Sequence, residues 1–174
     1  MRSFIAIDFC RDVKLKIAEL QDNLRPAITS GRWKYVDNFH LTLKFLDEIN
    51  YSQIDKICRE LSILSARHTG FSLYISRIGR FIGKDNIRVL WLGMDGETNK
   101  LLEIRDDIEE AMSGIGFPKE NRQFKPHITI GQDIVPGDNF ESAVAGINFN
   151  SFPKIRVDKI ELFKSEQIGR KRVY

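Results

Sequence analysis

Apolar and polar positions follow two rhythms along this chain, one of period two and one of helical spacing, and they alternate. Phe4-Ile5-Ala6-Ile7-Asp8-Phe9 is a short run of strand character, after which Val13, Ile17, Leu20 and Leu24 recur at helical spacing until Pro26. The stretch around Ser30-Gly31-Arg32 reads as turn. His40-Leu41-Thr42-Leu43-Lys44-Phe45 alternates strictly, the pattern of a half-buried strand. Ile54, Ile57, Cys58, Leu61 and Leu64 then form the apolar stripe of a second helix, and Ser52 with Asp55 three residues on resembles its capping box. The first half thus reads β-α-β-α.

Strands over residues 71–75 and 87–92 flank a glycine-bearing loop over 79–86, which predicts a hairpin. From 98 to 115 the positions Leu101, Ile104, Ile108, Ala111, Met112 and Ile115 mark a third helix, ended by Gly114 and Gly116 with Pro118 behind them. Pro126 precedes a second alternating run, His127-Ile128-Thr129-Ile130-Gly131, and two late strands are expected over 155–163 and 170–174. Residues 136–139 read as a loop within one body, so no linker divides the chain.

A length of 174 residues suits one domain, or two small halves on a shared core. With 42% hydrophobic and 29% charged residues, disorder and low-complexity architectures are excluded. The formal charge of +3 suits a phosphate-bearing partner without demanding one. Three histidines and two cysteines are too few for most structural zinc sites or disulfide scaffolds. Cys10 and Cys58 each sit in an apolar pattern and read as buried free thiols of a reducing compartment. Asp8 cuts the first apolar run short of a signal peptide, and no run reaches the ~18 residues of a membrane span, so a cytoplasmic protein is expected. The triplet Asn50-Tyr51-Ser52 is read as chance and not as a glycosylation site.

The candidate chemistry lies in a repeated pattern. His40-Leu41-Thr42-Leu43 and His127-Ile128-Thr129-Ile130 stand 87 residues apart, one in each half. On a strand, His and Thr at i and i+2 share a face roughly 6–7 Å apart while the aliphatic pair faces the other way. Two such strands can line one cleft, polar inward and apolar toward the core. Two histidines without a metal suit displacement at phosphorus: one neutral imidazole takes a proton from the attacking oxygen, and one protonated imidazole gives a proton to the leaving oxygen. The threonine hydroxyls can donate to non-bridging phosphate oxygens. Spacing alone treats His40 and His127 as equivalent. By strand parity Lys125 and Lys44 face the same cleft, although Pro126 makes the first of these depend on where the strand begins. His68 reads as a helix C-terminal residue with no catalytic role. The basic clusters Arg77/Arg80/Lys84/Arg88, Lys119/Arg122/Lys125 and Arg170/Lys171/Arg172 read as solvated faces, and Trp33, Tyr35, Phe81 and Trp91 as core aromatics that could alternatively stack on a base.

These residues resemble the signature of the 2H phosphoesterases (the HXTX motif), and in particular the branch known as RNA 2′,3′-cyclic phosphodiesterase or 2′-5′ RNA ligase. The likeness spans nearly the whole chain. It includes Arg2-Ser3-Phe4-Ile5-Ala6-Ile7, the stretch from Trp33 through Asn38-Phe39-His40 to Leu46, Val89-Leu90-Trp91-Leu92-Gly93, Phe124-Lys125-Pro126-His127 and Ile160-Glu161-Leu162-Phe163-Lys164-Ser165. The resemblance implies an α+β, bilobal fold over residues 1–174, with two pseudo-symmetric lobes, each a small antiparallel sheet with outer helices, around a central cleft. Each lobe would contribute one motif. It implies metal-independent hydrolysis of RNA 2′,3′-cyclic phosphate ends to a 2′-phosphomonoester, with reversible 2′-5′ ligation in some members, and no cofactor. His40 would be the proton donor and His127 the proton acceptor, with Thr42, Thr129 and Lys125 binding substrate. Partners would be RNA ends or related nucleotides, with no membrane and no obligate protein partner, and the default state a monomer. Gln132 and Asp133 stand where relatives often carry an arginine, so the cation expected there is either absent or supplied by Lys125 or Arg122. Competing readings keep the fold but change the substrate to small cyclic phosphates or 2′-5′ oligonucleotides, or keep the cleft for RNA-end binding without turnover.

Overall fold

The computed structural model describes residues 1–169 and 171–174; Arg170, part of the expected final strand, lies outside the described residues. Strand β1 (Arg2–Asp8) runs antiparallel between β3 (His40–Glu48) and β8 (Glu161–Lys164) in a three-stranded sheet. A second, five-stranded antiparallel sheet has the order β2 (Ile28–Trp33), β6 (His127–Pro136), β5 (Ile87–Gly96), β4 (Phe71–Ile82) and β7 (Ile155–Val157). Helices α2 (Tyr51–Ser65) and α3 (Thr98–Gly114) pack on each other, with α3 against β3, whereas α1 (Arg11–Leu24) packs with α4 (Phe140–Ala145). A hairpin of β9 (Glu166–Ile168) and β10 (Lys171–Val173) ends the chain, turning through Gly169 at a φ of +59° that favours glycine.

The α+β, two-sheet architecture matches the expectation, and each motif lies on its own sheet: His40 and Thr42 on β3, His127 and Thr129 on β6. The two sheets are not the two halves of the sequence, however. Strands β2 and β4, which lie before residue 87, join the sheet of β6, and β8 from late in the chain completes the sheet of β1. The stripe of α1 is buried at Val13, Ile17, Leu20 and Leu24, each such side chain contributing about 1.5–3 kcal/mol of transfer free energy. On the same helix buried Gln21 donates through Nε2 to the carbonyls of Lys34 (3.0 Å) and Ile130 (2.8 Å), fixing the end of β2 and the centre of β6.

Several local expectations are corrected. Ser30-Gly31-Arg32 is not a turn but part of β2, an edge strand whose register against β6 shifts twice. The expected strand over 155–163 divides into β7 and β8, which join different sheets. Residues 79–82 continue β4, and the hairpin closes tightly from Gly83 to Asn86, whose carbonyl accepts the Gly83 N–H at 2.8 Å. The capping box of α2 is Asn50 with Gln53, not Ser52 with Asp55, because the chain enters the helix two residues earlier. Cys10 and Cys58 are free, as expected, but exposed: Cys10 precedes α1, and Cys58 lies beside the stripe of Ile57, Leu61 and Leu64, not in it. His68 lies just beyond α2 with Nε2 2.8 Å from Asp107 Oδ2. Among the described residues no helix is long and apolar enough to cross a membrane.

Candidate active site

Alternation along β3 and β6 builds the site. Leu41, Leu43, Ile128 and Ile130 are buried in the core, while His40, Thr42, His127 and Thr129 are half-buried and line one cleft of about 410 Å³. The remaining walls come from Arg2, Phe4, Phe45, Arg32, Lys34, Asn38 and Gln132, and from Ser165, Arg172 and Tyr174 at the chain's end.

Both imidazoles are held in the same way. His40 Nδ1 lies 2.8 Å from the Asn38 carbonyl and His127 Nδ1 lies 2.6 Å from the Lys125 carbonyl. A carbonyl only accepts, so each Nδ1 carries the proton, and each neutral ring keeps Nε2 unprotonated. At His40 this Nε2 accepts from the Thr42 hydroxyl at 3.1 Å. The surroundings then diverge. The His40 ring packs near Phe4 (centroids 4.7 Å apart), Phe163 (6.0 Å) and the edge of Tyr174 (5.0 Å). This burial lowers its pKa from 6.5 to about 4; the Asn38 carbonyl and Asp8 oppose the shift, and Lys34 and Lys14 add to it. His127 is flanked by Phe81 (5.4 Å) and Trp91 (6.1 Å), both presenting in T-shaped fashion. Lys34 is itself held below the ordinary lysine range by burial and by Arg32 and Arg172, so the cleft wall concentrates positive charge.

The structure brings together His40, Thr42, His127 and Thr129, and it does not bring the two expected lysines with them. Ile5 pairs with Lys44 and Ala6 with Thr42, which leaves Leu43 as an extra residue, a bulge. Parity is reset, so Lys44 points into the core, where it is 1% exposed, and Phe45 takes its place in the cleft. Strand β6 begins at His127, after Lys125; the Lys125 side chain is exposed and outside the cleft lining, and its carbonyl is what touches His127. Arg122 is likewise exposed and outside the lining. The cleft cations are instead Arg2, Arg32, Lys34 and Arg172, with Arg32 directly opposite Gln132 and ion-paired to Asp133. Phe81 and Trp91 are half-buried beside His127 and not core, and Tyr35 is exposed under the Lys171 ammonium at 4.7 Å. Other members of the basic clusters pair with acids at the surface, as with Arg77 and Asp95 or Arg80 and Glu141. Sequence reasoning missed Asn38 as a residue of the site. The signal was its position two residues before His40, matching Lys125 before His127.

The profile of the LigT like Phosphoesterase family matches residues 7–91 and again 92–174, each match containing one motif, and the chain belongs to this family of phosphoesterases. Among curated relatives, the RNA 2′,3′-cyclic phosphodiesterase of Thermotoga maritima is 32% identical over 95% of this chain and 87% of its own length. That of Methanocaldococcus jannaschii is 31% identical over 97% and 84%. Among solved structures, Escherichia coli LigT complexed with 3′-AMP superposes with a TM-score of 0.73 at 27% identity, covering 99% of this chain and 92% of that one.

Proposed function

We propose that this protein hydrolyses RNA 2′,3′-cyclic phosphate ends to 2′-phosphomonoesters by metal-independent acid–base catalysis, residues 1–174 acting as one catalytic unit. The reading rests on one observation: two His-x-Thr pairs on separate sheets face one cationic cleft with the same imidazole tautomer. The relatives named RNA 2′,3′-cyclic phosphodiesterase and the LigT complex with 3′-AMP point to the same substrate class.

In the proposed reaction His127 Nε2 takes a proton from water as the water oxygen bonds to phosphorus. The P–O3′ bond breaks and His40 delivers a proton to O3′, leaving a 2′-phosphate and a free 3′-hydroxyl. His40 must carry that proton at Nε2, and its pKa of about 4 keeps it neutral in the free protein. The phosphate anion supplies the missing partner, since an adjacent negative charge favours the imidazolium. Once Nε2 is protonated it no longer accepts from Thr42, whose hydroxyl is released to donate to a phosphate oxygen. Thr129 does the same from the other strand, and Lys34 and Arg172 offset the charge that builds on the phosphoryl oxygens. The neutral state of free His40 also favours a second reading, in which His40 is the acceptor and His127 the donor.

The test is incubation of EDTA-treated protein with an oligonucleotide ending in 2′,3′-cyclic phosphate. Formation of the 2′-phosphate, abolished by His40→Ala and His127→Ala, supports the proposal; an intact ring with wild type overturns it. A His40 titration near 4 that rises by more than one unit on binding a 2′-nucleotide assigns it as donor, and an unmoved one assigns it as acceptor.

A further inference from the structure

Lys44 is a buried charge that the proposed chemistry does not use. The bulge at Leu43 turns it away from the cleft, where Nζ donates to Glu109 Oε2 at 2.7 Å and to the Pro118 carbonyl at 2.8 Å. The two side chains are 1% and 5% exposed. Glu109 Oε2 also accepts the Glu120 N–H at 3.1 Å, and its Oε1 lies 3.1 Å from Arg105, whose guanidinium sits 5.2 Å over the Phe124 ring. Burying an ion pair costs desolvation, and an apolar side chain of similar volume often packs with equal or greater stability. Stability alone is therefore a weak reason for this cluster.

Its contacts suggest another. Residues 117–126 contain no helix or strand, so their backbone groups have no ladder to join. The cluster meets this segment at Pro118, Glu120 and Phe124, and near its end the segment carries Lys125, whose carbonyl fixes His127 Nδ1. At its other end Lys44 stands two residues after Thr42 on the strand that carries His40. One buried cluster thus joins the strand of the first motif to the approach of the second.

We propose that Lys44, Glu109 and Arg105 are positioning residues that set the orientation of His127 relative to His40. The catalytic part of this inference rests on the function proposed above; the geometric part does not.

Two charge-balanced variants of the full chain test it. Lys44→Met leaves Glu109 with Arg105, and Arg105→Met leaves Glu109 with Lys44, so neither strands an unpaired buried charge. Imidazole NMR signals are read without substrate, and steady-state kinetics are read well below the melting temperature. The proposal expects the His127 ring signals to shift or broaden in both variants while those of His68, half-buried against Asp107 and far along the chain from both motifs, hold. It also expects kcat to fall about 10- to 100-fold with KM within about twofold, the size that a small misplacement of a reacting group produces. His127 signals that superimpose on wild type in a folded variant overturn it, as does an unchanged kcat per folded molecule. Should wild type fail to open the cyclic phosphate, the function proposed above falls, and the NMR result still decides whether the cluster orients His127.

Discussion

Asn38 holds His40 through its backbone and shelters it through its side chain. The Asn38 carbonyl accepts the His40 Nδ1–H at 2.8 Å, and Asn38 Nδ2 donates to the carbonyl of Arg172 in the C-terminal hairpin at 2.6 Å. Tyr174, one residue past that hairpin, presents its ring edge to His40. Asn38→Ala keeps the carbonyl, and with it the tautomer, but releases the hairpin. The expected result is a His40 pKa that climbs from about 4 toward 6.5 as water reaches the ring, with a stability loss of about 1–3 kcal/mol for the orphaned carbonyl. NMR titration of the variant checks it; a His40 that still titrates near 4 would show that the hairpin is not what keeps it dry.

Stability against pH should carry the signature of the same residue. The unfolded chain binds a proton at His40 near pH 6.5, whereas the folded protein resists it until about pH 4. The contribution is fully present above pH 6.5 and is lost as the pH falls from there to about 4, to a limit of about 3 kcal/mol. Urea unfolding at pH 7 and pH 4.5, in wild type and His40→Gln, measures it. The variant should show the shallower loss over this window, and equal slopes would refute the assignment.

Thr42 and Thr129 present hydroxyls on the cleft faces of β3 and β6. Valine preserves their shape and removes the donor. Thr42→Val and Thr129→Val should each lower kcat about 10²- to 10³-fold on a 2′,3′-cyclic substrate, the usual cost of losing one donor to a developing oxyanion, with little change in melting temperature. A loss confined to KM would reassign the hydroxyls to ground-state binding.

Much of this site was legible because strand alternation is a strong rule where nothing interrupts it. His40, Thr42, His127 and Thr129 could be placed on cleft faces from period two alone, and the stripes of α1, α2 and α3 from helical spacing. Lys44 defeats the rule since a bulge adds one residue to β3 and flips Lys44 and Phe45, until a second irregularity at Leu46 shifts the register again, and no local pattern announces a bulge between Leu43 and Lys44. Strand β2 was hidden for a related reason: Ser30, Gly31 and Arg32 have turn chemistry yet are carried as an irregular edge by β6. The cleft cations Arg2, Lys34 and Arg172 come from separate parts of the chain, and only tertiary structure gathers them. Helix α4, at six residues, is too short for periodicity to register.

The floor beneath His127 offers the last test. Gly79 lies opposite Trp91 in the β4–β5 register, and a Cβ at Gly79 would stand 2.3 Å from Cζ2 and Cη2 of the indole. The indole is a rigid ring packed between Phe81 and His127, so it cannot yield by bending a flexible end. Gly79→Ala should therefore push Trp91 toward His127, at a cost of about 1–3 kcal/mol for overpacking, with a shift in Trp91 fluorescence and a lower kcat. Trp91→Phe removes the ring atoms that the new methyl meets, so the pair Gly79→Ala/Trp91→Phe should be more stable than the sum of the single changes predicts. A double-mutant cycle that closes additively would show that the methyl is accommodated elsewhere and that Gly79 does not set the position of the indole.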